Sequence, residues 1–194
     1  CISDRYTEIL ANYIDKPGVL IAAHFDKDTN IPYFKRGRAA FEKKINTNPM
    51  YKNVEIVDLS SELAKEGSID AVLTFRNLHN WLGPQMDNIF SNTYKVLKPG
   101  GIFGVVEHRA NPGTSMEKMK KSGYVTEEHA IEIAEKHGFT LVSKSEINAN
   151  PKDTKDYPRG VWTLPPSLRL KEKDKEKYLE IGESDRMTLL FKKL

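Results

Sequence analysis

The sequence predicts an α/β chain built on a mostly parallel sheet with helices on both faces. Three observations carry that expectation. Two continuously apolar runs, 71–75 and 102–106, are too short for buried helices and too unbroken for half-wet strands, so both read as buried parallel strands. Helix-period and strand-period segments alternate from residue 5 to residue 145 with short connections, the pattern of a doubly covered parallel sheet. Leu97-Lys-Pro-Gly-Gly101 lies between a helix-period segment and the second run, as a helix end meeting a strand start requires.

The elements follow in order. Residues 5–14 place Tyr6, Ile9, Leu10 and Tyr13 on one helical face, and Pro17-Gly18 ends the segment. A strand is expected over 18–25, with His24 and Asp26 at its exit, then a turn-rich loop and a basic helix over 33–45. Its Lys35, Arg36, Arg38, Lys43 and Lys44 can hold a phosphate, but a solvated face is the preferred reading. Residues 54–59 alternate as a further strand ending at Asp58, and 61–65 form a turn or short helix. After strand 71–75, Met86, Ile89, Phe90, Tyr94 and Leu97 mark a helix over 84–97 returning along the sheet. Strand 102–106 leads to a loop over 110–123 with a turn of helix. Thr126 and early acids start a helix that His137-Gly138 closes, and 139–145 is a strand. The stretch 146–170, with four prolines, reads as a long ordered lid-like loop; a charged helix over 171–181 and a final strand over 186–192 complete the chain. The last two strands are expected as an antiparallel hairpin.

At 194 residues, 39% hydrophobic and 29% charged, the chain fits a single domain over 1–194 whose N-terminal portion is expected to be missing. The tail of a first strand is read at Cys1-Ile-Ser3, which makes seven strands; the alternative is a lipid-modified terminal cysteine of an exported protein. The longest apolar run, 19–23, is far short of a bilayer helix, and no signal-peptide pattern is visible. A cytoplasmic location is expected, or an exported, periplasmic one if a leader precedes Cys1. A charge of +3, from 30 basic against 27 acidic residues, gives no nucleic-acid surface. One cysteine excludes a disulfide framework and a cysteine-rich metal site.

Chemistry is sought where strands end, because the carboxyl ends of parallel strands border the ligand crevice. Strand 71–75 breaks into Arg76, Asn77, His79 and Asn80, with Trp81 beyond; strand 102–106 breaks into Glu107, His108 and Arg109. Asn77 and His79 can position a substrate or take its proton, or else cap the next helix. Glu107 can serve as a general base with a pKa raised by burial, and Arg109 as a clamp for a carboxylate or phosphate; the alternative is an internal Glu107–Arg109 pair. His24, His79 and His108 at strand ends invite a three-histidine metal site, but an intervening strand would hold them apart, so no metal is expected. Tyr124, Tyr157 and Trp162 can box a cation or pack the lid. Asn148 and Asn150 are candidate ligand contacts, and Asp185 and Arg186 an ion pair. Strand ends carrying His24, Asn77 and Glu107 are expected along one rim facing a common hollow.

The Leu97-Lys-Pro-Gly-Gly101 signal within this architecture resembles the class I S-adenosylmethionine-dependent methyltransferases, with a Rossmann-like, mostly parallel seven-stranded sheet and a C-terminal antiparallel strand. The likeness is closest to a bacterial family of predicted methyltransferases. It runs through Arg5-Tyr-Thr-Glu-Ile-Leu10, Thr74-Phe-Arg-Asn-Leu-His-Asn-Trp81, Gly104-Val-Val-Glu-His-Arg109, the segment 145–156, Gly160-Val-Trp-Thr-Leu-Pro-Pro166 and Gly182-Glu-Ser-Asp-Arg-Met187.

That resemblance implies S-adenosylmethionine as cofactor and a small-molecule substrate. It places Asp58, Thr74 and Phe75 near the adenine, His24 and Asp26 near the ribose, and His79, Glu107 and Asn77 as catalytic residues near the methyl. Trp81, His108, Arg109, Tyr124, Asn148 and Trp162 would line the substrate. The chain departs from the pattern twice: Ile2-Ser-Asp-Arg5 has no glycine-rich turn, and His24 stands where an acidic side chain ordinarily takes both ribose hydroxyls. The rival expectation is a methyltransferase-like protein without catalysis that binds another ligand.

Overall fold

The computed structural model describes residues 5–14 and 17–194, which fall into two compact units, Cys1–Lys65 and Glu66–Leu194. The first expected strand, at 1–3, and the turn before Arg5 lie outside the described residues. Among the described residues, six strands form a two-stranded sheet, β1-β2, and a four-stranded sheet in the order β3-β4-β6-β5, in place of the expected seven-stranded sheet.

In the first unit, α1 (Arg5–Ala11) precedes β1 (Leu20–His24), which pairs in parallel with β2 (Val54–Asp58), so that His24 lies opposite Asp58. Between them runs α2 (Pro32–Thr47), opened by a proline in its first turn, where the missing N–H has no helical partner to lose. Phe41, Ile45 and Tyr51 bury together against Ala11, Ala22, Val54 and Ile56. The basic face is not wholly solvated. Arg38 is 6% exposed and turns inward, bonding Asp58 Oδ1 at 2.7 Å, Phe25 O at 2.8 Å and Glu42 at 2.8 Å. Sequence spacing could not separate it from its exposed lysine neighbours.

The second unit is built on β3 (Ile69–Phe75) and β4 (Leu97–His108), paired in parallel, followed by β6 (Arg186–Lys193) and β5 (Phe139–Ser145), with β6 antiparallel to both neighbours. The antiparallel terminal hairpin is therefore present. Strand β4 starts at Leu97, so Lys98-Pro-Gly-Gly101 belongs to its irregular beginning, where pairing with β3 shifts between Ile69 and Ala71. A Cβ on Gly101 would meet Lys98 O at 2.9 Å and Asp70 O at 3.2 Å, which explains the glycine there.

Helices α4 (Pro84–Val96) and α6 (Glu127–Lys136) cover one face of this sheet. Phe90 meets Phe103 edge-on at 5.2 Å, Tyr94 meets Phe139 at 5.1 Å, and Phe103 contacts Phe139 and Phe191. The opposite face, within this unit, carries a shallow depression of about 190 Å³ lined by Leu73, Phe75, Gly104, Val106, Thr188 and Leu190 among others. Thr126 caps α6 by accepting from His129 N–H at 3.2 Å, and Ser115 caps α5 (Met116–Ser122), which fills part of the expected loop. The expected helix at 171–181 is shorter: α7 spans Lys175–Ile181, because Lys171 and Asp174 adopt positive φ. No helix among the described residues is long and apolar enough to cross a membrane.

Candidate functional site

Parallel pairing of β3 with β4 puts Phe75 opposite Val106, so the residues after Phe75 and the end of β4 emerge at one edge of the second unit. Arg76 leaves the strand with φ +56 and its N–H bonds Val106 O at 2.7 Å, turning the chain into the short helix α3 (Leu78–Trp81). That turn brings His79 onto Glu107. Glu107 is fully buried. Its Oε1 accepts from His108 N–H at 2.7 Å and stands 3.0 Å from His79 Nδ1, while Oε2 accepts from His79 N–H at 3.2 Å.

Burial opposes a charge on Glu107, yet the hydrogen bond with His79 and the electrostatic interaction with the His79 and His108 rings outweigh it and hold the carboxyl below its ordinary range. The expected upward shift is thus overturned: two backbone N–H groups and an imidazole satisfy the carboxylate that burial would otherwise neutralise. The expected Glu107–Arg109 pair is absent too. With the shared proton on His79 Nδ1, the neutral ring keeps its lone pair at Nε2. The His79 side chain is 7% exposed.

His108 Nδ1 lies 2.5 Å from Ser184 Oγ, and its ring centroid lies 5.4 Å from that of His79. Burial lowers its pKa from 6.5 to about 4, so the ring is neutral. Asn77, the residue before α3, is buried, but its side chain makes no cap bond to α3, which removes the capping role as its explanation. Trp81 is buried in the core at 8% exposure. Trp162 meets His79 edge-on at 5.8 Å, and Arg169 covers its ring at 4.7 Å.

Arg109 is not a free clamp. Its guanidinium makes a bidentate pair with Asp185 at 3.0 and 2.9 Å and reaches Glu127 at 3.0 Å and Glu146 at 2.8 and 2.7 Å. These carboxylates raise its pKa, Glu146 and Asp185 most. Nor do the aromatics form a box. Tyr124 is buried and donates to Asp153 at 3.1 Å, its pKa pushed up by burial and then by that carboxylate, while Tyr157 packs on Tyr178 at 5.9 Å. Asn148 bonds Thr188 Oγ1 at 2.8 Å, and Asn150 bonds Ile181 O and Glu183 O at 2.8 and 2.6 Å. The 146–170 stretch is therefore tied to the start of β6 through its asparagines. Asp185 pairs with Arg109 and Lys155, and Arg186 with Glu183, so the expected Asp185–Arg186 pair is replaced.

In the same unit Thr74 is buried with no partner for its Oγ1 among the described residues, and Phe75 lines the depression on the sheet. In the first unit, His24 is 4% exposed and stacks on Phe41 at 4.8 Å. Burial lowers its pKa to about 4, and its Nδ1 finds no partner among the described residues. It faces an apolar cluster, which fits a packed ring better than a ribose ligand. Asp58 is occupied by Arg38 and by Lys27 N–H at 3.3 Å. Asp26 accepts from Ser60 N–H through Oδ1 at 3.2 Å, and since both bonds to Asp58 also fall on its Oδ1, each carboxylate keeps its Oδ2. A carboxylate thus stands just beyond the end of β1, where the resemblance asks for an acidic side chain, while the His24 ring is stacked on Phe41. Ser184 was not singled out from sequence. Gly182-Glu-Ser-Asp-Arg-Met187 contained the signal for Ser184, but a serine beside an acid and a base reads as a surface turn.

The sequence profile of the methyltransferase-domain family matches residues 20–105, a span of less than half the chain. No curated protein matches it. Among solved structures, a SAM-dependent methyltransferase from Aquifex aeolicus aligns at 14% identity and TM-score 0.59, over 97% of this chain and 76% of that one. Geranyl diphosphate C-methyltransferase from Streptomyces coelicolor, solved with Mg²⁺, geranyl diphosphate and S-adenosyl-L-homocysteine, aligns at 10% identity and TM-score 0.57, over 97% and 76%. The 4+2 cyclase SpnF aligns at 17% identity and TM-score 0.56, over 98% and 80%. In fold the chain is similar to these S-adenosylmethionine-dependent methyltransferases.

Proposed function

We propose that the chain is an S-adenosylmethionine-dependent methyltransferase acting on a small molecule, with His79 as the proton acceptor. The observation that carries this reading is the buried Glu107 holding His79 Nδ1 at 3.0 Å at the end of β3. Bound S-adenosylmethionine supplies an already activated methyl group, so the protein's work is alignment, exclusion of water and removal of the acceptor's proton. His79 Nε2 takes that proton. Glu107 is a positioning residue: it fixes the tautomer and stabilises the imidazolium that forms. Asn77 and His108, beside it, orient the acceptor, and Trp162 walls the site. In the first unit taken by itself, the family likeness assigns the ribose to the end of β1, where Asp26 is the proposed carboxylate. Thr74 and Phe75 stand toward the adenine, as the family likeness implies. A small-molecule acceptor is supported by the relative that acts on geranyl diphosphate.

The test is transfer of label from tritium-methyl S-adenosylmethionine to fractionated small-molecule extracts. Label is expected to move with the native chain and to fall by about 100-fold or more with His79→Asn. Equal transfer by both would overturn the role of His79.

A second reading, a ligand-binding protein without methyl transfer, is favoured by His24, whose stacking on Phe41 takes it away from the ribose role. Under it, S-adenosylmethionine binds without turnover or does not bind. SpnF, a cyclase of the same fold, illustrates that the fold alone does not set the reaction.

A further inference from the structure

We propose that His79, Glu107 and His108 together bind a divalent first-row transition metal of the zinc type. One ligand atom from each residue lies within 4.8 Å of the others. Two imidazoles and one carboxylate form a donor set that suits Zn²⁺, Co²⁺ or Fe²⁺ and not Mg²⁺ or Ca²⁺, which prefer all-oxygen shells.

The geometry around the three side chains is that of ligands already aimed. His79 Nδ1 and Glu107 Oε1 stand 3.0 Å apart. Ligand atoms sharing one tetrahedral zinc are separated by roughly 3.3 Å, so an ion can take the place of the proton these two share. The widest separation in the trio has to close by roughly 1.5 Å, which imidazole rotation on flexible χ angles allows.

His108 has the outer partner that metal-bound histidines characteristically carry. Ser184 Oγ sits 2.5 Å from its Nδ1, fixing the ring and leaving Nε2 for a ligand. Glu107 is likewise held by the N–H groups of His79 and His108 at 3.2 and 2.7 Å. These bonds leave the carboxylate lone pairs to spare. His79 sits on α3, just after β3, while Glu107 and His108 close the neighbouring β4, so regular backbone elements set the spacing. No ligand comes from the loop at 146–170.

This inference goes beyond methyl transfer and does not rest on it. An ion here would occupy the imidazole that otherwise accepts the proton, and would itself polarise a bound hydroxyl. It would thereby convert general-base chemistry into Lewis-acid chemistry at the same place.

The experiment uses the full chain, stripped with chelator and dialysed against Zn²⁺, with elemental analysis for stoichiometry and Co²⁺ visible absorption for geometry. One ion per chain with micromolar or tighter affinity is expected. His79→Asn and His108→Asn should each weaken binding at least 30-fold, while His129→Asn, on α6 and outside the trio, should leave it unchanged. Ser184→Ala keeps all three ligands and should weaken binding about 10-fold through loss of the outer partner. It therefore carries the test should either histidine variant misfold. Substoichiometric binding by the native chain, or equal affinity in native and Ser184→Ala protein, overturns the proposal. Because no S-adenosylmethionine is present, its failure leaves the methyltransferase reading to its own test.

Discussion

Glu107 accepts the backbone N–H of His79 through one oxygen at 3.2 Å and faces the ring Nδ1 of the same residue through the other at 3.0 Å. One buried carboxylate thus fixes both the start of α3 and the orientation of the imidazole it carries. Glu107→Gln places an amide NH₂ among N–H donors, and the variant should lose about 1–3 kcal/mol, read from the urea midpoint. Nitrogen-15 spectra should find the His79 proton on Nδ1 in the native chain and lose that preference in the variant. An unchanged midpoint and tautomer would contradict the pairing.

Acid should destabilise the protein. Burial lowers the pKa of His24 and of His108 from 6.5 to about 4. The unfolded chain therefore binds protons first as pH falls. The stability from keeping these rings neutral is fully present above about pH 6.5 and drains away toward pH 4. The lowered pKa of Glu107 acts in the same direction at the acid end. Urea midpoints at pH 7.5 and pH 5 should differ, with the lower at pH 5, and His108→Asn should flatten the dependence. A flat profile in the native chain would show that these rings are not buried as neutral groups.

The Arg109 cluster should govern order in the 146–170 stretch. Arg109 and Asp185 side chains are 18% and 6% exposed, and Asp185 also accepts from Asn150 N–H at 3.0 Å. Arg109→Gln leaves Asp185 buried with less than its full set of partners. It should cost about 2–4 kcal/mol and speed protease cleavage within 146–159. Cleavage at the native rate would mean that the prolines and Asp153, rather than the ion pairs, hold the segment.

Two glycines with similar backbone angles should respond very differently to alanine. Gly160 has φ +54, and a Cβ there would meet Ser122 O at 2.1 Å, whereas Gly113 has φ +73 with nothing within 4 Å. Gly160→Ala should cost about 3 kcal/mol or more and Gly113→Ala only about 1–2 kcal/mol, both read from thermal or urea unfolding. Equal costs would mean that the packing of the Gly160 turn against α5 is looser than these distances require.

Much of the fold was legible because buried strands leave a strong signal. Runs 71–75 and 102–106 lie inside β3 and β4, and Thr126 caps α6 as its position before two acids suggests. The polar residues that end each run within the second unit were legible for the same reason: Arg76 and Asn77 follow β3, and Glu107 and His108 close β4. The partners were not. Glu107 lies in β4 and Arg109 just beyond its end, a spacing of two that suggests a shared side, yet Glu107 found His79 and Arg109 found Asp185 through turns no spacing encodes. His24 read as a rim residue and proved to be a stacked core ring, since its place at a strand end says nothing of Phe41 on the facing helix. Arg38 was hidden for a like reason, one inward-facing base in a row of solvated ones.

The measurement that bears most directly on the proposed activity is calorimetric titration of the full-length protein with S-adenosylmethionine and, separately, with S-adenosyl-L-homocysteine. The account predicts saturable binding of both at one site per chain with micromolar affinity, weakened at least tenfold by Asp26→Asn and little changed by His24→Gln. No heat from either compound, under conditions where the protein is folded, would contradict it.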